Sequence, residues 1–173
     1  IYHGVEHGEV GNIFPVDYTS VAFFYADQPL KERMEPTAEL REVYFPTTHI
    51  YFPQLMEITP ERGIQVIQDR GLMLTSFGQG AVRVMLSDVP EGKYKVLINY
   101  HEKPNGADFQ VWQRQNRLSE WIPTKADKET FRENVHVGDI QLTPQTNSIT
   151  FHVRNNGKAD QFELNLITLE RVD

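Results

Sequence analysis

In the segment Asp108-Phe109-Gln110-Val111-Trp112-Gln113-Arg114, Phe109 and Val111 form one apolar set. Strand alternation then turns Trp112 to the opposite face with Gln110 and Arg114. Ahead of it runs the polar stretch His101-Glu102-Lys103-Pro104-Asn105-Gly106-Ala107-Asp108, which offers Glu102, Asn105 and Asp108 as hydrogen-bonding partners. The second tryptophan, Trp121, stands in Ser119-Glu120-Trp121-Ile122-Pro123. An outward indole gives the C–H face of a sugar a flat apolar platform, and neighbouring amides and carboxylates take the hydroxyls. These residues are therefore the candidates for glycan contact. Each has a plainer alternative. Trp112 can be buried against the first residues of the chain or a linker, Trp121 can plug one end of the fold, and Asn105-Gly106 is an ordinary turn signal.

Other chemistries find less support. Ser76, Ser87, Ser119 and Ser148 all lack a Gly-x-Ser-x-Gly setting. Ser76-Phe77-Gly78-Gln79-Gly80 leads into a strand rather than a helix, so it reads as a turn and not a phosphate cradle. The sequence has no cysteine, which removes disulfides, thiolate nucleophiles and Cys-ligated zinc and leaves the redox compartment open. His3 and His7, four apart in a strand-like run, project to one face but lack a third ligand, and read as hydrogen-bonded framework residues. No metal and no cofactor is called for. A net charge of −7 and scattered basic residues argue against nucleic acid. No apolar run is long enough to cross a bilayer, and no signal-peptide pattern is present.

The elements that must position these residues are strands. Ala81-Val82-Arg83-Val84-Met85-Leu86 alternates with Val82, Val84 and Leu86 on one face. After the turn Val89-Pro90-Glu91-Gly92, Tyr94, Val96, Ile98 and Tyr100 share a face against Lys93, Lys95, Asn99 and His101. Further strands are expected at Phe109/Val111, Val135/Val137, Ile140/Leu142, Ile149/Phe151/Val153 and Phe162/Leu164/Leu166. Helical periodicity is nearly absent, and 11 Gly and 10 Pro punctuate the runs. The fold class is all-β, an antiparallel β-sandwich of jelly-roll type.

The first 29 residues read as two strands, Ile1 to Glu9 and Tyr18 to Ala26, forming a β-hairpin appendage. In Val21-Ala22-Phe23-Phe24-Tyr25 both alternating sets are apolar, so this hairpin must dock on the sandwich, a second subunit or an upstream domain. Residues 30–44 are polar and charged and read as a linker, with a helical turn at Thr37 to Arg41, and residues 45–173 form the sandwich. Starting at Ile1 in mid-strand, the chain reads as a mature or trimmed piece of a longer protein.

Two stretches resemble known families. His3-Gly4-Val5-Glu6-His7-Gly8, followed by Asp17-Tyr18-Thr19-Ser20-Val21-Ala22-Phe23-Phe24-Tyr25, resembles a segment near the end of the catalytic jelly roll of the domain-of-unknown-function 2961 family. That family is associated with glycoside hydrolase family 172, active on fructofuranosides or arabinofuranosides. The resemblance makes Glu6 a candidate catalytic or sugar-contacting carboxylate, with a buried structural role as the alternative. The family's Gly-Thr-Glu-Asp-Tyr-Phe motif does not occur here, so the two carboxylates that glycoside hydrolysis requires are not both supplied.

The second stretch runs from Leu55-Met56-Glu57 to the end. Its Val89-Pro90-Glu91-Gly92-Lys93-Tyr94 and Phe162-Glu163-Leu164-Asn165-Leu166-Ile167-Thr168-Leu169 are similar to galactose-binding-like carbohydrate-binding modules. Many of those hold a calcium between an early Glu and an Asp of the last strand. Asn165 takes the Asp position here and removes a charge that the cation favours, which weakens a Glu57–Asn165 site.

The expectation is an accessory sandwich from a glycoside-hydrolase-like protein, binding a glycan or bracing the catalytic domain. By family habit its location is extracytoplasmic and bacterial. The rivals are a purely structural domain that mediates homo-oligomer formation, and a small hydrolase in its own right pairing Glu6 with Glu57 or Asp69.

Overall fold

The computed structural model describes residues 46–61, 63–155 and 161–172. The expected hairpin over 1–29, the linker over 30–44, and Glu6, His3 and His7 all lie outside the described residues.

Among the described residues twelve strands pack as two antiparallel sheets, and the lone helical element is a 3-10 turn at Pro53–Leu55. The first sheet is built from β1 (Thr48–Tyr51), β3 (Ile64–Gln68), β4 (Leu72–Ser76), β6 (Gly92–Glu102), β10 (Thr130–Leu142) and β12 (Gln161–Arg171). Its order is β10-β6-β12-β4-β3, with β1 also on β12. The second sheet contains β2 (Ile58–Pro60), β5 (Gln79–Met85), β7 (Asp108–Gln113), β8 (Asn116–Arg117), β9 (Ile122–Pro123) and β11 (Ser148–Arg154). Its order is β2-β5-β11-β7-β8, with β9 also on β7. Phe77-Gly78 forms the corner between β4 in the first sheet and β5 in the second, with Gly78 at φ +122°.

The inward faces carry the expected periodicity of two. Tyr94, Val96, Ile98 and Tyr100 of β6 oppose Val82 and Val84 of β5, Phe109 and Val111 of β7, and Ile149, Phe151 and Val153 of β11 in a single core. Phe109 and Phe162 stack across the gap between the sheets, with ring centroids 4.3 Å apart. Truncating either ring to Ala removes a large buried side chain, at a cost of about 3–5 kcal/mol.

Two strands depart from simple alternation. In β12 the register with β6 slips between Leu164 and Leu166, making Asn165 an extra bulged residue. The core set therefore changes phase: Phe162 and Leu164 are followed by Ile167 and Leu169, and Leu166, expected in the core, is only partly buried. In β10 the register slips twice, between Arg132 and Val135 and between His136 and Gly138. At the second slip Gly138 (φ +141°) is obligatory, since a Cβ there would lie 2.8 Å from the Leu118 Cβ.

Candidate functional site

The outer face of the second sheet presents Trp112 in a fixed pose. Its neighbours Val111 and Gln113 point inward or are buried, and the half-buried indole lies on the solvent side. Trp112 Nε1 donates to Gln110 Oε1 at 2.9 Å, and Gln110 Nε2 in turn donates to the Ser119 carbonyl at 3.1 Å. Gln110 is itself buried, so it serves as a bracket for the indole rather than a ligand contact. The His152 ring lies 5.6 Å away, tilted by 57°.

Strand register sets the neighbours of Trp112. Arg83 of β5 pairs with Thr150 of β11, Thr150 with Trp112 of β7, and Trp112 with Arg117 of β8. Directly paired residues put their side chains on one face, so these four form a row across the sheet. Beside Trp112 the surface is concave, about 570 Å³, and lined by Glu61, Arg83, Arg114, Asn147, Thr150 and His152 among others. Arg83 Nη2 stands 4.0 Å from Glu61 Oε1, with both side chains about half exposed. Arg114, at the rim with φ +53°, donates to the Gln145 carbonyl.

Asp108 and Trp121 occupy the far end of the same sheet. Arg154 donates from Nε (3.1 Å) and Nη2 (2.9 Å) to Asp108 Oδ2, and its guanidinium lies 4.2 Å above the Trp121 ring. The nearly buried Asp108 is thus engaged by a half-exposed arginine, which also covers Trp121 rather than leaving it open as a platform.

Glu102 and Asn105 stand elsewhere. The polar stretch from His101 to Asp108 is a tight strand connection: His101 and Glu102 end β6, and Asp108 already belongs to β7. Glu102 pairs with Arg132 of β10 at 2.9 Å, and the hydrogen bond and charge of Glu102 raise the Arg132 guanidinium further above its ordinary value. Asn105 donates to Gln161 Oε1 at 2.8 Å at the start of β12. Gly106 is required by packing, because a Cβ there would sit 2.1 Å from the Thr124 carbonyl oxygen. The structure does not bring Glu102 and Asn105 to Trp112.

On the outer face of the first sheet, charges are arranged against one another. Lys103 Nζ reaches Glu163 Oε2 at 2.5 Å, Asn165 Nδ2 reaches Glu163 Oε1 at 3.5 Å, and His101 Nδ1 lies 3.1 Å from Glu129 Oε1. Burial alone would raise the Glu163 carboxyl, but the hydrogen bond and charge of Lys103, helped by His101 and Asn165, hold it below the usual range. Glu57 precedes β2 in the second sheet, whereas Asn165 lies in β12 of the first. Among the described residues no group of three or more His, Asp or Glu could hold a metal ion.

Sequence reasoning passed over Arg83, Thr150 and His152, though it had placed Arg114 on the face of Trp112. Their outward parity was visible, since Arg83 sits between Val82 and Val84 and His152 between Phe151 and Val153. Their adjacency to Trp112 needed the register of three strands that are distant in the chain.

Comparison with known proteins places the sandwich in context. A family model described as "Domain of unknown function (DUF8441)" matches residues 50–172. No curated protein matches the chain. Among solved structures it is similar to the GH26-CBM35 β-(1,4)-mannanase of Podospora anserina, at 19% identity and a TM-score of 0.48 over 73% of this chain. The chain spans only 28% of that mannanase. It is also similar to the CBM36-1 domain of a multidomain xylanase from the hindgut metagenome of Trinervitermes trinervoides (8% identity, TM-score 0.45), covering 73% of this chain and 98% of that one. A family 35 carbohydrate-binding module from Clostridium thermocellum gives 7% identity and a TM-score of 0.45, covering 72% of this chain and 98% of that one.

Proposed function

The chain belongs to the DUF8441 family, and we propose that its sandwich is a carbohydrate-binding accessory module whose glycan lies on the outer face of the second sheet, against Trp112. One observation carries this reading: the indole is braced by Gln110 beside a concave polar surface lined by Arg83, Thr150 and His152. A rigid aromatic face next to convergent donors suits a sugar, whose ring offers both C–H bonds and hydroxyls. The test is titration of the chain with a panel of soluble polysaccharides. Binding that Trp112→Ala weakens at least about tenfold, with cooperative thermal unfolding retained, supports the reading. Binding that is unaffected by the substitution removes Trp112 from the site and overturns it.

The wider setting belongs to the same proposal. Residues 1–29 are the last strands of an upstream jelly roll related to the domain-of-unknown-function 2961 and glycoside hydrolase 172 proteins, residues 30–44 link it to the sandwich, and residues 45–173 form the module. The support is the Glu6-His7-Gly8 and Asp17-to-Tyr25 segment, which lies outside the stretch matched by the family model. On this reading the protein works outside the cytoplasm, and Glu6 acts only with a carboxylate from the upstream domain. Hydrolysis of fructosyl or arabinosyl test substrates by this chain alone would overturn that assignment.

A further inference from the structure

The charge on the candidate face differs from that of the protein as a whole. The chain carries a net charge of −7, yet the outer face of the second sheet sets Arg83, Arg114, Arg117 and Arg154 against Glu61, Asp108 and Glu120. Their engagements differ. Arg154 is held by Asp108 through two nitrogens at 2.9 and 3.1 Å, and Arg117 by Glu120 at 2.7 Å. Arg114 is tied to the Gln145 carbonyl. Arg83 has only the 4.0 Å contact to Glu61, and it faces the concavity.

Geometry relates Arg83 to the indole. The two residues sit in one cross-strand row with Thr150 between them, and two strand spacings separate their backbones by about 10 Å. That is the reach of two consecutive pyranose rings laid across the strands. A sugar stacked on Trp112 puts the next ring over Thr150, with a substituent of that ring within range of Arg83. A guanidinium presents a planar fork of donors that matches a carboxylate in two parallel hydrogen bonds, a fit that a neutral hydroxymethyl group does not offer.

We infer that the glycan of this face is acidic: the site takes a uronic-acid-containing chain, with one ring on Trp112 and the carboxylate of a neighbouring ring on Arg83. The inference rests on the sugar-binding reading of the face and adds the chemical class of the ligand. Loose partnering by Glu61 fits the role, because a tight Arg83–Glu61 pair would have to be broken before the ligand carboxylate could enter. Both partners are half exposed, so the recognition is salt-sensitive.

The experiment compares soluble polyuronides with the same polymers after reduction of their carboxyl groups to neutral hydroxymethyl groups, by titration at low and high salt. The wild-type chain is expected to bind at least one polyuronide about tenfold or more tightly over its reduced counterpart, with the preference shrinking as salt rises. Arg83→Gln is expected to abolish that preference, whereas Trp112→Ala weakens binding of both polymers. Equal binding of charged and reduced polymers, or a preference that survives in Arg83→Gln, overturns the acidic-ligand inference while leaving the sugar-binding face in place. Absence of binding to every polymer in both sets overturns the face itself.

Discussion

The two outer faces of the sandwich hold comparable sets of charged and polar side chains, and they use them differently. On the first sheet the charges are partnered within the protein: Lys103 with Glu163 at 2.5 Å, Glu102 with Arg132 at 2.9 Å, and His101 between Glu129 and Glu163. On the second sheet the Asp108–Arg154 pair is equally closed, but Arg83 and Thr150, in one row with Trp112, line a concave surface. A polar cluster by itself therefore says little about ligand binding. What separates a site from a framework is whether the groups have already spent their hydrogen-bonding capacity on one another.

The comparison makes Asp108 a framework residue despite its place on the same sheet as Trp112. Asp108→Ala removes the carboxylate that receives both nitrogens of Arg154. Because Asp108 is nearly buried and Arg154 half exposed, the freed guanidinium can find water, which limits the cost to about 2 kcal/mol. For a chain of this size that lowers the melting temperature by about 6 °C. If instead Asp108→Ala left stability intact and reduced glycan affinity, the division of this sheet into frame and site would be wrong.

Trp112→Ala is the converse. The indole is partly buried and its hydrogen bond goes to the buried Gln110, so its loss should cost about 1–2 kcal/mol and lower the melting temperature by about 3–6 °C. Its stacking contribution to a bound sugar, about 1.5 kcal/mol, should appear as a loss of affinity of about tenfold. Calorimetric unfolding and titration on the same sample separate the two effects.

How much of this was legible beforehand follows from what each feature requires. The strand at Tyr94, Val96, Ile98 and Tyr100 could be read directly, because alternation is a local property and all four side chains are buried. The same rule failed at Leu166, since the bulge at Asn165 is imposed by the pairing of β12 with β6, and no signal within β12 announces it. The outward aim of Trp112 was local and readable. The engagement of Asp108 by Arg154, 46 residues away, and of Glu102 by Arg132 on another strand was not. Glu102, Asn105 and Asp108 looked like one polar cluster beside Trp112 because they are close in sequence. The fold separates them because β6 and β7 belong to different sheets.

Glu163 sharpens the comparison from the first sheet's side. Its carboxyl is held below the ordinary carboxylate range, opposed by burial but outweighed by Lys103, His101 and Asn165. A depressed folded-state value means that the charged form stabilises the fold above the unfolded value of about 4.3, and that this contribution is lost as pH falls through the folded value. Glu163→Gln should therefore cost about 1 kcal/mol at neutral pH and nothing once the pH is acidic enough to protonate the wild-type carboxyl. Melting curves of the two proteins, run from neutral to acidic pH, should converge at the acid end. A gap of constant size would mean that Glu163 contributes through packing rather than charge.

Arg83 is where the smallest stability effect is expected and where the difference between the faces is most exposed to test. Its guanidinium is half exposed and its one ion pair spans 4.0 Å, a geometry at the outer limit of pairing. Exposed pairs of this kind contribute about 0–1 kcal/mol, and Arg83→Gln keeps the side chain's stem over the sheet, so stability should change by less than about 0.5 kcal/mol. Lys103→Gln on the opposite face is the matched control: that ammonium is mostly buried and closes on Glu163, and its removal leaves the carboxylate without its principal partner. Urea titrations of the two variants should thus differ, with the Lys103 variant shifted to a lower midpoint and the Arg83 variant superimposed on the wild type. Equal shifts would show that the fold depends on Arg83 no less than on Lys103, and would leave the second sheet with no charge held in reserve for a ligand.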